Sequence, residues 1–291
     1  MKNIKFVLAA TMLVLSLLAG CSNNGEAAEP KTEAQDPAIQ VSATNSPGNQ
    51  ASEEAADSNN GEVDISLYYE QDKDAMIAVT GDQISWQENG VSFLAHKRDA
   101  TSEEMAEGKQ RIDSMTLTRG DQSFAVKVSP EPTEIESVSL SSTGEQLAIT
   151  VYNLEYRRVI LVDLSEGDYF VLNDVLESEG QGPVEIASGN WSPDGKSFAF
   201  SYGLISVEKI GLYRMESETF EYLPIDKGYI SVSPILWHAD GSSFDYISET
   251  ASDVMELFRY RISDKEIERI KQVRAEDIQK YTVVTPEILT K

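Results

Sequence analysis

Hydrophobic and polar residues alternate in short runs over most of the chain after residue 63, a pattern typical of β-strands. Four of these runs share one motif: a large apolar residue, three turn-forming residues, a glycine, two variable residues and an apolar strand. The motif begins at Trp86, Leu140, Trp191 and Trp237, so the copies stand roughly 50 residues apart. Each copy predicts a β-hairpin within an internal repeat.

The turn residues explain why the motif recurs. Its shared glycines are Gly90, Gly144, Gly195 and Gly241. Asn-Gly and Asp-Gly pairs tolerate the positive φ angles of tight turns, and Asp194 and Asp240 supply the aspartate in two copies. Turn geometry therefore explains these aspartates better than calcium binding, which needs several oxygen ligands at alternate positions.

A second hairpin follows the motif in each unit, so each unit predicts a four-stranded sheet. Residues 264–273 also fit helical spacing, but alignment with the earlier units favours a strand through Ile270. The predicted strand pairs are 115–118 with 123–128, 158–163 with 169–172, 211–215 with 220–223, and 257–262 with 266–270.

The segment Trp191-Ser-Pro-Asp-Gly195-Lys-Ser-Phe198-Ala-Phe resembles the signature of the WD40-like repeats of TolB-type β-propellers. The resemblance spans residues 81–270 and is weakest at 86–95. It implies an all-β fold, a propeller of about five four-stranded blades. The fifth blade would combine a hairpin of strands 65–69 and 75–79 with a strand at 281–284. A two-sheet sandwich is the rival architecture.

Two inserts interrupt the repeats. Residues 97–112 contain Thr101-Ser-Glu-Glu104, a capping-box pattern that predicts a short helix ending near Gly108. Residues 173–183 contain several glutamates and glycines and predict an exposed loop.

The first 20 residues have the pattern of a secretory signal: Lys2 and Lys5, an apolar run from Phe6 to Leu18, and small residues. The run is shorter than the roughly 20 residues that cross a bilayer. Leu18-Ala19-Gly20-Cys21 resembles the lipobox of bacterial lipoproteins. That resemblance implies cleavage between Gly20 and Cys21 and a diacylglyceryl group on the Cys21 thiol, and two acyl chains hold a protein firmly at a membrane where one gives only marginal attachment.

Residues 22–62 have no aromatic residue and carry many acids against one base, Lys31. Such a composition cannot bury enough apolar area to offset chain entropy, so it predicts a disordered linker. The expected organisation is a signal peptide at 1–20, a linker with lipidated Cys21 at 21–62, and a propeller domain at 63–291.

The net charge of −25 argues against nucleic acid as a partner, because phosphate binding needs clustered Lys and Arg. With one cysteine the chain has no intramolecular disulfide, and the two histidines, His96 and His238, fit structural roles better than catalytic ones. The sequence also lacks a Gly-x-Ser-x-Gly elbow and a P-loop. We therefore expect no catalytic residue, metal ligand or cofactor.

Three functions are compatible with these features. The first is a non-catalytic, lipid-anchored module on the extracytoplasmic side of the cell membrane that binds an envelope protein. The second is a receptor for a small ligand or glycan in the propeller channel, with tyrosines at its mouth. The third is an enzyme of unrecognised type. The sequence leaves open the oligomeric state and whether the host has one membrane or two. The tyrosine candidates are Tyr68, Tyr69, Tyr152, Tyr156 and Tyr202.

Overall fold

The structure, a computed structural model, describes residues 64–70, 76–103, 110–153, 156–204, 206–225 and 228–281. These residues form mainly antiparallel strands. The strands are β1 Ala78–Thr80, β2 Gln83–Glu88, β3 Val91–Arg98, β4 Arg111–Arg119, β5 Gln122–Val126, β6 Glu134–Leu140, β7 Gln146–Tyr152, β8 Arg157–Asp163, β9 Tyr169–Val171, β10 Glu185–Trp191, β11 Ser197–Leu204, β12 Val207–Arg214, β13 Thr219–Tyr222, β14 Ser231–Trp237, β15 Ser243–Ala251, β16 Val254–Arg261 and β17 Ile267–Val273.

The strands form four sheets, and in each sheet consecutive strands are neighbours. Sheet 1 contains β1–β5, sheet 2 contains β6–β9, sheet 3 contains β10–β13 and sheet 4 contains β14–β17. The predicted all-β fold of blade-like sheets is therefore confirmed, with four strands in sheets 2, 3 and 4 and a fifth strand, β1, at the edge of sheet 1. The second hairpin of each unit is present, and the ambiguous segment after Asp264 forms strand β17.

The core consists of apolar layers between successive sheets, as in a β-propeller. Along β7, Leu147 and Ile149 pack toward sheet 1, whereas the intervening Ala148 packs toward sheet 3. Along β11, Phe198 and Phe200 pack toward sheet 2, and side chains of the other face pack toward sheet 4. Strands buried on both faces explain the nearly continuous apolar runs of the repeats.

The two ends of the described chain do not form the expected fifth blade. Residues Ile65–Leu67 form a short 3-10 helix rather than a strand, and β1 joins sheet 1 beside β2. Tyr281 ends helix α2, Ala275–Tyr281, while 282–284 lie outside the described residues. The far face of sheet 4 packs against Tyr68 and α2 instead.

The insert after β9 is helical, so the prediction of an exposed loop there was wrong. Helix α1, Leu172–Leu176, continues into a π-helical turn, Glu177–Gln181. Leu172 and Leu176 are one turn apart and fully buried between sheets 2 and 3, which stabilises the helix despite the acidic residues that follow. The helix predicted after Thr101 falls largely on 104–109, outside the described residues.

The first motif hairpin differs from the other three in its turn. Glu88 pairs with Val91 across a two-residue turn in which Asn89 and Gly90 both have positive φ. In the third copy a longer loop separates Ser192 from Ser197, whose backbone groups hydrogen-bond, and only Gly195 has positive φ. Trp86 thus stands one residue further from its turn than Trp191 does from its own loop. A shift of one residue moves a side chain to the opposite face, and Trp86 packs between sheets 1 and 2.

The predicted signal peptide, Gly20, Cys21 and the linker lie outside the described residues. Within the described part of the chain, every helix is too short or too polar to span a bilayer.

Candidate functional site

The motif residues lie in the turns and inter-sheet layers of the repeats. The indole Nε1 of Trp191 donates to the carbonyl of Ser139 at 3.2 Å, and that of Trp237 donates to the carbonyl of Asn190 at 3.1 Å. Each bond links one sheet to the first strand of the preceding sheet. The carboxylates of the two turn aspartates accept hydrogen bonds inside their own loops: Asp194 from Ser192 Oγ and Lys196 N, and Asp240 from Ser242 N and Oγ.

A cleft of about 370 Å³ opens between the first halves of β6, β10 and β14. Many of the side chains that line it are small and polar. Among the described residues of the lining, Phe198 is the one aromatic residue. None of the five tyrosines considered for a channel mouth belongs to this lining. In this lining, hydroxyl groups therefore outnumber aromatic rings. The hydroxyl residues are Ser137, Ser139, Thr150, Ser188, Ser231 and Ser233.

Those tyrosines lie elsewhere. The hydroxyl of Tyr68 bonds to a carboxylate in sheet 4, and the hydroxyl of Tyr202 lies 3.5 Å from Gln181 beside α1. Of the two histidines, His96 is a half-buried residue of β3 and His238 lies in the motif loop of sheet 4. Neither histidine lines the cleft.

Glu208 is the most perturbed carboxyl group of the cleft. It stands at the second position of β12, and its Oε2 accepts a hydrogen bond from the backbone N–H of Val232 at 2.8 Å. Burial raises the pKa of Glu208 to about 7; the bond from Val232 opposes this rise, and the charge of Glu185 adds to it. A carboxyl group poised near neutrality in a cleft is a candidate for ligand binding.

Arg157 is the basic residue of the lining, and its charge is largely neutralised. Its Nε donates to Glu136 at 2.6 Å, and its Nη1 lies 3.4 Å from Glu185. Glu134 and Glu208 also line the cleft. When Glu208 is ionised, carboxylates outnumber guanidinium groups here, and the cleft favours a cationic ligand over an anionic one.

A second charged cluster lies on the far face of sheet 4, and both oxygens of its carboxylate have hydrogen-bond donors within the protein. Asp245 is completely buried, and its two oxygens accept hydrogen bonds from Tyr68 Oη at 2.9 Å and from Arg259 Nε and Nη2 at 2.8 and 3.0 Å. His238 Nε2 lies 3.0 Å from Oδ1 and must carry a proton, because a carboxylate only accepts. This cluster fastens residues near the start of the described chain to the last sheet, which is a structural role.

The sequence pattern marks Asp245 as exceptional but does not mark Glu208. Asp245 occupies the motif position held by Ala148 and Ala199, inside an aromatic strand, so its polar side chain breaks the pattern. Glu208 follows a turn in an ordinary alternating strand, and its burial comes from β14, which lies far away in the sequence. Neither residue was singled out by the sequence analysis.

Among the residues that the structure describes, no three His, Cys, Asp or Glu side chains converge as a metal site would require. No protein-family model and no curated protein matches the sequence.

Solved structures similar to this chain include TolB, a prolyl endopeptidase and the tricorn protease. TolB from Acinetobacter baumannii is 16% identical with a TM-score of 0.36, over 67% of this chain and 56% of TolB, so this chain spans a little over half of that protein. A prolyl endopeptidase is 12% identical with a TM-score of 0.41, over 72% and 31% of the two chains. The tricorn protease is 12% identical with a TM-score of 0.38, over 67% and 22%. Because these TM-scores are low, the fold assignment depends on the arrangement of the four sheets.

Proposed function

We propose that this protein is a non-catalytic binding module, anchored by lipid on Cys21 to the extracytoplasmic side of the cell membrane, that holds a partner protein. Its binding face is the end of the sheets where β6, β10 and β14 begin. The tip of the β11–β12 hairpin on this face carries Leu204, 61% exposed, and Val207, 50% exposed. Large apolar side chains this exposed are typical of protein-binding surfaces. This hairpin tip is the observation that carries the proposal.

The sequence before the folded domain supports the anchoring. The lipobox-like residues 18–21 follow an apolar run too short to span a bilayer, and the acidic linker separates them from the sheets. A net charge of −25 would repel an anionic membrane surface, so a covalent anchor explains attachment better than electrostatic attraction.

The anchor is tested by growing cells with a labelled fatty acid and measuring label in the purified protein. We expect label in the wild type, none in the Cys21→Ala variant, and a mature N-terminus at Cys21 by mass spectrometry. An unlabelled wild-type protein, or one that retains residues 1–20, would rule out the anchor.

The partner is tested with a photo-crosslinking amino acid at position 204 in living cells. The matched control places the same amino acid at Glu216, an exposed turn residue at the opposite end of β12. We expect a discrete crosslinked product from position 204 that position 216 does not give. Identical products from both positions would contradict the assignment of the binding face.

The cleft favours a second candidate function, a receptor for a small ligand. Its volume of about 370 Å³ lies within the range of small-molecule sites, and its polar lining is suited to a polar ligand rather than an apolar one.

A further inference from the structure

Two polar side chains of the cleft have hydrogen-bonding capacity that the fold does not use. The Oγ of Ser188 is buried, the residue is only 4% exposed, and no described residue is within hydrogen-bonding distance of that hydroxyl. Glu208 interacts with the backbone N–H of Val232 and with the hydroxyl of Ser201, which leaves part of the acceptor capacity of its carboxylate unused. Buried polar groups are normally paired, so an unpaired hydroxyl in a cleft indicates a missing partner.

The strand register places these groups on one face of sheet 3. Ser188 pairs with Ser201 across β10 and β11, and Gly203, two residues further along β11, pairs with Glu208 of β12. Residues two apart on a strand share a face and stand about 7 Å apart. Ser188 and Glu208 therefore face sheet 4 together. Because they also lie two strands apart, their Cα atoms are about 12 Å from each other, a distance that the Glu208 side chain and an extended ligand must span together.

Gly203 lets the backbones of β11 and β12 approach closely beside Glu208. Gly203 pairs with Glu185 on one side and with Glu208 on the other. A side chain at Gly203 would meet the carbonyl oxygen of Val207 at 2.2 Å, so only glycine fits. Glu185 and Glu208 are therefore two strands apart, and of the two it is Glu208 that lines the cleft, while Glu185 contacts Arg157.

The charges around Glu208 come from each neighbouring element. Glu185 of β10 raises its pKa, and Arg157 of β8 lowers it. Glu134 and Glu136 of β6 line the same cleft. Glu249 of β15 contacts Ser231 of β14 at 3.4 Å, and Lys209 points to the opposite face of β12 because it is the next residue. The field at Glu208 is therefore negative overall.

We propose that the cleft binds a small hydroxylated organic cation, with its ammonium group against Glu208 and a hydroxyl group against Ser188. The proposal rests on the second candidate function above and specifies the chemistry of its ligand. A neutral polyol of the same shape would leave Glu208 without a counter-charge and binds more weakly.

Binding depends on pH because Glu208 must be ionised to attract the cation. With its pKa at about 7, the competent fraction rises about tenfold between about pH 6 and about pH 8, and apparent affinity rises with it. The ligand in turn lowers that pKa, so binding releases a proton near neutrality.

The test is calorimetric titration of the purified full-length protein with N-methylglucamine and ethanolamine, which stay charged over this pH range. Sorbitol and ethylene glycol are their neutral counterparts. We expect saturable, millimolar binding of at least one amine, strengthening as pH rises, and none of the neutral compounds. Failure of both amines to bind, or equal binding of amines and neutral compounds, would overturn the proposal.

Three variants locate the site. Glu208→Gln keeps an acceptor for Val232 but should weaken amine binding at least tenfold and abolish its pH dependence. Ser188→Ala should weaken binding of N-methylglucamine about fivefold, the value of one hydrogen bond. Glu216→Gln, at the other end of β12, should change nothing. Unchanged binding in Glu208→Gln would also refute the site. The fatty-acid and crosslinking results use other residues, so their failure and this failure are distinguishable.

Discussion

Two regions of the protein each bury a carboxylate, and the two carboxylates behave in opposite ways. On the far face of sheet 4, Asp245 accepts hydrogen bonds from three side chains. Burial would raise its pKa, but the bonds from His238 and Arg259 outweigh burial and hold the pKa below its usual value. In the cleft, burial raises the pKa of Glu208 to about 7, because the hydrogen bonds from Val232 and Ser201 and the charge of Arg157 do not offset it.

The difference shows how to separate structural charge from binding charge in this fold. A buried charge whose acceptor sites are all filled by the protein contributes to the fold and offers nothing to a ligand. A buried charge that lacks partners costs stability, and a ligand can recover that cost. The predictions below test this distinction, beginning with the largest expected effect.

Replacing Asp245 by Ala should cost the most stability. The substitution leaves Arg259 and His238 beside a buried space without their acceptor, and breaking a buried charge pair costs about 3–5 kcal/mol. Urea unfolding followed by circular dichroism measures the loss. Asp240→Ala, which removes an exposed turn aspartate five residues away, is the control and should cost about 1 kcal/mol or less. Equal losses in both variants would show that the cluster is not structural.

Glu208→Gln should increase stability, whereas Asp245→Ala decreases it. Because its folded-state pKa exceeds the unfolded value, Glu208 contributes most favourably below the unfolded pKa, and this contribution is lost as pH rises through about 7. In mildly alkaline buffer the variant should therefore be more stable than the wild type by about 1–2 kcal/mol, allowing for partial exposure, and the gain should vanish in acidic buffer. A variant less stable at alkaline pH would show that the interactions of the Glu208 carboxylate outweigh the cost of burying its charge.

The strands and sheets could be predicted from the sequence because they depend on local patterns. Motif glycines such as Gly195, standing between apolar runs, predicted the hairpins, and repetition of the motif predicted the sheets. The burial of Glu208 was not accessible, because Val232 lies on a strand of another sheet. Helix α1 was missed for the same reason: Leu172 and Leu176 are held by the layer between sheets 2 and 3, which outweighs the loop-like composition of the segment.

The motif tryptophans extend the comparison to a neutral group. Trp191 Nε1 donates to a backbone carbonyl, whereas the equivalent atom of Trp86 is buried without a partner among the described residues, a consequence of the shifted turn. Both Trp→Phe substitutions lose similar volume, but only Trp191→Phe loses a hydrogen bond. It should cost about 1 kcal/mol more than Trp86→Phe in urea unfolding. Equal costs would indicate that the indole of Trp86 also has a partner.

The smallest effect concerns two buried serines of the same segment. Ser192 Oγ donates to Asp194 at 2.6 Å and accepts from Ser197 N at 2.9 Å, whereas Ser188 Oγ has no partner among the described residues. Without ligand, Ser188→Ala should change the free energy of unfolding by no more than about 0.5 kcal/mol, while Ser192→Ala should lose about 1 kcal/mol. The two substitutions remove the same atom from similarly buried sites, so their difference isolates the hydrogen bonds. A loss in Ser188→Ala as large as that in Ser192→Ala would mean that the protein itself already satisfies the hydroxyl, and a ligand would then gain nothing from it.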